Sequence, residues 1–209
     1  NYDGRYRGAI PLRDAFALSS NVAAVRLTDE LGTASVIRAA RDLGVTAPMP
    51  NDPSIALGTA GVSLLQMTAA YAAVAADRYP VIPHGIVAKE EDGGLLASLF
   101  GGLIQPAAAG RSDPAFEDLR ELLRAAVEDG TGRAAGLSVV TYGKTGTTQD
   151  YRDALFIGFA GDLVVGVWVG NDDNRPMTGI TGGGLPARIW RAFVSDALRV
   201  VPAPADDRE

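Results

Sequence analysis

The chain has 209 residues, 47% hydrophobic and 21% charged, enough apolar content to bury a core within one domain or a domain with a lobe. A net charge of −6 with no basic run argues against nucleic acid as a partner. No cysteine and a single histidine, His84, exclude disulfides, thiolate sites and histidine clusters, so no metal or cofactor is expected; no apolar run approaches the length of a membrane span.

In chain order, Pro11 suits the first turn of a short helix that keeps Leu12, Ala15 and Phe16 inward and ends at Ser19-Ser20-Asn21. Asn21 reads as the cap of a second helix, Val22 to Leu31, closed by Gly32. Thr33 starts a third, with Val36, Ile37, Ala40 and Leu43 on one face and Gly44 at its end. Three short helices in succession predict a helical lobe with Ser-Ser-Asn on a tight turn, and taken alone that junction needs no role beyond capping. Ala47 to Pro53 is a proline-rich loop. Ser63 and Gln66 then form a capping box. The helix behind them carries Leu64, Leu65, Met67, Tyr71 and Val74 almost all round, so it is expected to be buried, with Met67 and Tyr71 as core. Tyr79 to Lys89 and Leu95 to Ile104 read as the arms of a surface hairpin with a solvated acidic tip. Asp113-Pro114 opens a further helix with Phe116, Leu119, Leu122, Leu123, Ala126 and Val127 as its stripe, ended by Gly130-Thr131-Gly132.

The stretch Val139 to Thr148 reads as a strand, led in by β-branched and aromatic residues. Alternation puts Thr145 and Thr147 on one face and Lys144 and Gly146 on the other. Gly146 leaves a gap where another backbone or a ligand can come close to the strand, and one cation and two hydroxyls beside it make a seat for a substrate carboxylate. A solvated edge strand accounts for the same residues. So does the tail of a phosphate-binding loop, although Ser138 stands where that motif needs glycine and no helix follows the Lys-Thr pair. Asp153 to Ala160 and Leu163 to Val169 form an antiparallel hairpin through Gly161-Asp162, apolar on both faces and therefore covered by helices on both sides. Asn171 to Pro186 is a glycine-rich loop. The last helix, Pro186 to Val200, is expected to pack Ile189, Trp190, Phe193, Val194, Ala197 and Leu198 on the sheet, ahead of a frayed tail from Val201 to Glu209. The fold class is thus α/β of the α+β type: an antiparallel sheet with helices on both faces plus a helical lobe.

Taken together, Ser19-Ser20-Asn21 and Lys144-Thr145-Gly146-Thr147 resemble two of the three signatures of penicillin-interacting serine enzymes. Further segments resemble the transpeptidase domain of class A penicillin-binding proteins in the expected order: 1–8, 130–135, 167–173 and Gly182-Gly183-Gly184-Leu185-Pro186 with Ala187 to Trp190. The resemblance implies the serine β-lactamase and D,D-peptidase fold. It places about 9–76 in the helical lobe and about 138–200 in the sheet and terminal helix, with 1–200 as the C-terminal part of one transpeptidase domain.

The resemblance also implies a reaction: cross-linking of peptidoglycan stem peptides through an acyl-serine, trapped by β-lactams. Ser19 would relay a proton, Lys144 would lend positive charge, and Asn21 would hold the substrate amide. Thr145 and Thr147, flanking Gly146, would bind the terminal carboxylate, and the Thr147 N–H would serve the oxyanion. The Ser-x-x-Lys nucleophile is absent, because Ile86 and Thr141 precede Lys89 and Lys144 by three positions. The resemblance places that motif in an N-terminal segment upstream of Asn1, together with a membrane anchor, so the expected setting is the periplasmic face of the cytoplasmic membrane. The expected partners are that segment, stem peptides and β-lactams. A non-catalytic β-lactam or peptidoglycan sensing module is the second reading.

Overall fold

In the computed structural model the described residues are Gly4, 6–85 and 110–203. Among them are six α-helices and one three-stranded sheet. Helix α1 is Leu12–Ala17, α2 Asn21–Leu31, α3 Thr33–Asp42 and α4 Leu64–Ala75. After a segment mostly outside the described residues come α5, Ala115–Glu128, then strands β1, Tyr142–Thr147, β2, Asp153–Ala160, and β3, Leu163–Gly170, and finally α6, Leu185–Leu198. The strands lie antiparallel in the order β1-β2-β3, with Lys144 opposite Ile157 and Thr147 opposite Ala154.

Helices cover both faces of the sheet because β2 is apolar on both. Alternation sends Phe156 and Phe159 to opposite sides. Phe156 is fully buried with Trp190 and Val194 of α6, its ring edge-on to Trp190 at 5.3 Å. Phe159 packs with Ala73 and Val74 of α4 and with Phe116 and Leu123 of α5. Gly166 lets α4 approach β3, since a Cβ there would overlap the Thr68 hydroxyl and Leu64. The Trp190 indole N–H, which needs a partner in so apolar a place, donates to the Val165 carbonyl at 3.1 Å.

Several sequence expectations shift. Ser20, not Asn21, caps α2: its Oγ accepts from the Ala23 N–H at 3.4 Å, and Asn21 is the first helical residue. The Ser63 box is half made. Ser63 Oγ accepts from the Gln66 N–H at 3.3 Å, but the Gln66 amide turns away to Thr46 Oγ1 at 2.6 Å. Leu12, Leu65, Ile189 and Phe193 are exposed, so the apolar residues of their helices exceed the width of the packing faces. The proline-rich loop continues into a short 3-10 turn at Pro53–Leu57, capped by Asp52. Helix α4, read as part of the lobe, packs on β2 and β3. Residues 201–203 do not fray: the Ser138 N–H donates to the Val201 carbonyl and the Ala203 N–H to the Gly136 carbonyl, at 2.9 and 3.0 Å. The remainder of that tail, 204–209, lies outside the described residues, as does most of the expected hairpin. Tyr79, the expected start of that hairpin, is joined by paired backbone hydrogen bonds to Arg111, which lies beyond its expected end.

Candidate active site

Helix α1 ends in a turn that fixes Ser19. The Ser19 N–H donates to the Phe16 carbonyl at 3.0 Å and the Ser20 N–H to the Ala15 carbonyl at 2.9 Å. That is the Schellman pattern, and its next-to-last position takes a left-handed backbone, usually with glycine. Ser19 occupies that position at φ 55°. A left-handed backbone costs an L-residue about 1–2 kcal/mol, so serine carries a strain at this position that glycine would not.

The side chain meets the lysine of β1. Lys144 Nζ donates to Ser19 Oγ at 2.7 Å, joining residues 125 apart in the chain. It also lies 3.4 Å from the Thr145 carbonyl oxygen and 5.8 Å from the centroid of the Phe16 ring, over its face. Burial lowers the Lys144 ammonium to a pKa of about 8, because little water reaches it. It therefore remains mostly charged at neutral pH and donates to Ser19 Oγ, which leaves the serine's own proton free for another acceptor. Asn21 is exposed two residues further on, at the start of α2.

The threonines turn to the other face of β1, as their alternation requires. Thr145 Oγ1 lies 2.7 Å from Thr131 Oγ1, in the turn after α5. Thr147 Oγ1 accepts from the Gly182 N–H at 3.0 Å. Of the two occupants expected at the Gly146 gap, another backbone or a ligand, the structure shows a backbone. A Cβ on Gly146 would make only ordinary contact with Leu155, whereas one on Gly182 would overlap the Leu155 carbonyl and the Gly146 backbone. The close approach over the strand is thus made by the chain's own 181–184 loop. Two residues with a place here carry no site role in the sequence reading: Phe16, read only as core, and Thr131, read as part of a helix stop and of the family-like 130–135 segment. The signal for Thr131 is an exposed hydroxyl between two glycines, but its partner lies 14 residues on and only folding brings them together.

Next to Phe16 an apolar cavity of about 240 Å³ opens between the helices, lined by Leu43, Met67, Tyr71, Val74, Leu119 and Leu123 among others. Burial raises the Tyr71 hydroxyl pKa well above its ordinary value. Among the described residues no group of His, Cys, Asp and Glu is arranged to hold a metal ion.

Ser19 and Lys144, one from each of the two signatures, thus meet at one point beside a strand ending in Thr-Gly-Thr. The penicillin binding protein transpeptidase domain family matches residues 1–189. The chain belongs to that family. Penicillin-binding protein 1A of Aquifex aeolicus is 35% identical over 207 residues, covering 97% of this chain and 28% of the relative. Penicillin-binding protein 1A of Neisseria meningitidis serogroup A is 33% identical over 211 residues, covering 95% and 26%. The chain therefore spans about a quarter of the length of these relatives. Among solved structures, penicillin-binding protein 1A from Haemophilus influenzae superposes with a TM-score of 0.73 at 23% identity, covering 99% of this chain and 37% of that one. The transpeptidase domain from Eggerthella lenta gives 0.69 at 20% identity, covering 95% and 55%. The mixed helical and antiparallel architecture is that of penicillin-binding transpeptidase domains, which share the β-lactamase-like fold.

Proposed function

We propose that this chain is the C-terminal part of a peptidoglycan D,D-transpeptidase that works through an acyl-serine and is inhibited by β-lactams. The observation that carries the reading is the 2.7 Å contact between Lys144 Nζ and Ser19 Oγ, which unites the two signatures at one point. In the proposed reaction a serine of an upstream Ser-x-x-Lys motif attacks the penultimate D-Ala carbonyl. The tetrahedral intermediate collapses with loss of the C–N bond, and the departing D-Ala amine takes a proton through Ser19. Lys144 donates to Ser19 Oγ and keeps its own proton, so Ser19 offers its hydroxyl hydrogen to the amine and recovers one from the nucleophile. An amine of a second stem peptide then attacks the acyl-serine, the ester C–O bond breaks, and the amine's surplus proton returns to the serine oxygen through Ser19, leaving the cross-link. Asn21 holds the substrate amide, the Thr145 and Thr147 hydroxyls hold the terminal carboxylate, and the Thr147 N–H donates to the oxyanion.

In this reading the upstream segment packs beside Phe16. The apolar cavity beside Phe16 sits next to the Lys144 and Ser19 pair, and a helix bearing the nucleophile would bury its lining. The proposed setting is extracytoplasmic, with the anchor in that upstream segment. Among the described residues no helix is long and apolar enough to cross a membrane.

The test is labelling of the protein carrying both segments with a fluorescent penicillin, for the parent and for Lys144→Ala. Covalent labelling that falls at least about 10²-fold in the variant, with the fold retained, is the expected result. Reversible penicillin binding without any covalent label would instead identify a sensing module.

A further inference from the structure

Thr131 lies outside the signatures and its side chain is exposed, yet its surroundings fix it closely. It stands between Gly130 and Gly132, both buried. The Thr131 N–H donates to the carbonyl of Ala17 at 3.1 Å, two residues before Ser19, and the Gly132 N–H donates to the Ala126 carbonyl at 2.8 Å. A Cβ on Gly130 would overlap the Ala17 carbonyl, and one on Gly183 would overlap the Thr131 carbonyl. The α1 turn, the end of α5 and the 181–184 loop therefore all close on this one residue. Such a backbone needs nothing from the 131 side chain, which nevertheless places Oγ1 2.7 Å from Thr145 Oγ1.

We propose that Thr131 is a positioning residue that donates its hydroxyl proton to Thr145 Oγ1 and so aims the Thr145 proton at a ligand carboxylate. The proposal rests on the reading that Thr145 binds that carboxylate. A hydroxyl has one proton and two acceptor lone pairs, and a pair of hydroxyls at this distance shares one proton between them. If Thr145 gives its proton to Thr131, it meets an anion with lone pairs only. If Thr131 is the donor, the Thr145 proton is free, and an incoming carboxylate selects this second arrangement. Thr147 is held by the same logic: its Oγ1 accepts from the Gly182 N–H and keeps its own proton to give. Each of the two hydroxyls on the strand is thus supplied with a donor from behind, one by a side chain and one by a backbone amide.

The test uses the protein carrying both segments and compares acylation by a β-lactam bearing its carboxylate with acylation by the corresponding methyl ester. The ratio of the two rates is the readout. It is measured for the parent, Thr131→Ser, Thr131→Val, Thr131→Ala, Thr145→Val and the double variant Thr131→Val with Thr145→Val. Thr131→Val and Thr131→Ala are expected to lower the ratio about three- to tenfold, the range of one neutral hydrogen bond, while Thr131→Ser keeps it. In the Thr145→Val background the second substitution should change nothing further, since Thr131 acts through Thr145. Alanine adds no atoms, so it carries the test if the valine variant does not fold. An unchanged ratio in the alanine variant, or additive losses in the double variant, would overturn the proposal. A Thr145→Val variant that keeps the parent ratio would overturn both the proposal and the carboxylate seat beneath it.

Discussion

The left-handed backbone at Ser19 yields a prediction whose sign is opposite to ordinary expectation. Ser19→Ala and Ser19→Gly both remove the hydroxyl that accepts from Lys144, so that loss cancels when the two are compared. What differs is the backbone. At φ 55° alanine keeps the left-handed penalty of about 1–2 kcal/mol and glycine does not. Glycine gives back roughly 0.4–1 kcal/mol through the larger entropy of its unfolded chain. The difference leaves the glycine variant more stable than the alanine variant by roughly 0.5–1 kcal/mol. In a helix interior the order would be reversed, with alanine ahead by about 1 kcal/mol. Urea unfolding of the transpeptidase domain, followed by tryptophan fluorescence, measures the difference through the shift in midpoint. Penicillin acylation, measured in parallel, should fall about 10²-fold or more in both variants under the proposed relay, since neither has a hydroxyl at this position. An alanine variant as stable as the glycine variant would refute the strained turn. A glycine variant that acylates normally would refute the need for a serine there.

Other consequences follow from named contacts. Phe156→Ala opens a cavity in the fully buried cluster beside Trp190 and should cost about 3–5 kcal/mol in chemical denaturation. A loss under about 1 kcal/mol would mean that this cluster is not core. The Lys144 pKa of about 8 lies below its unfolded value of 10.5, so between those two values the unfolded chain binds more protons and stability should rise with pH. The destabilisation is complete below about pH 8; a Lys144→Met variant should lack this rise, and an identical pH–stability slope in both proteins would remove the buried ammonium from the account. Acylation that needs the lysine's charge should fall as pH rises through about 8. Thr147→Val removes the acceptor of the Gly182 N–H and should cost about 1 kcal/mol, seen as faster proteolysis in the 181–184 loop. It should also weaken carboxylate-bearing ligands more than their esters.

Much of this arrangement is legible in the sequence where chemistry is local. The β2-β3 hairpin follows from two apolar runs and Gly161-Asp162, and the helices from their caps and stripes. The helix at Ser63 shows the limit of local reading. Its apolar residues run nearly all round, yet Leu65 is exposed, because α4 offers the sheet one face and the neighbouring helices cover only part of the rest. The sequence does not separate Ser20 from Asn21 as the α2 cap, because either side chain suits the position, and the turn geometry set by α1 decides for Ser20. The pairing of Ser19 with Lys144 was legible only through the two signatures, since nothing local reports a contact across 125 residues. The role of Thr131 is not legible: a threonine between glycines reads as a helix stop, the resemblance of 130–135 assigns it nothing, and its partner is supplied by the packing of α5 along β1.

The central claim is that Ser19 and Lys144 serve a nucleophile supplied from upstream. Peptide mapping by mass spectrometry after penicillin treatment of the protein carrying both segments tests it most directly. The account predicts one adduct, on the serine of an upstream Ser-x-x-Lys motif, and none on any residue of this chain. An adduct on Ser19 would make it the nucleophile and contradict the relay role assigned here.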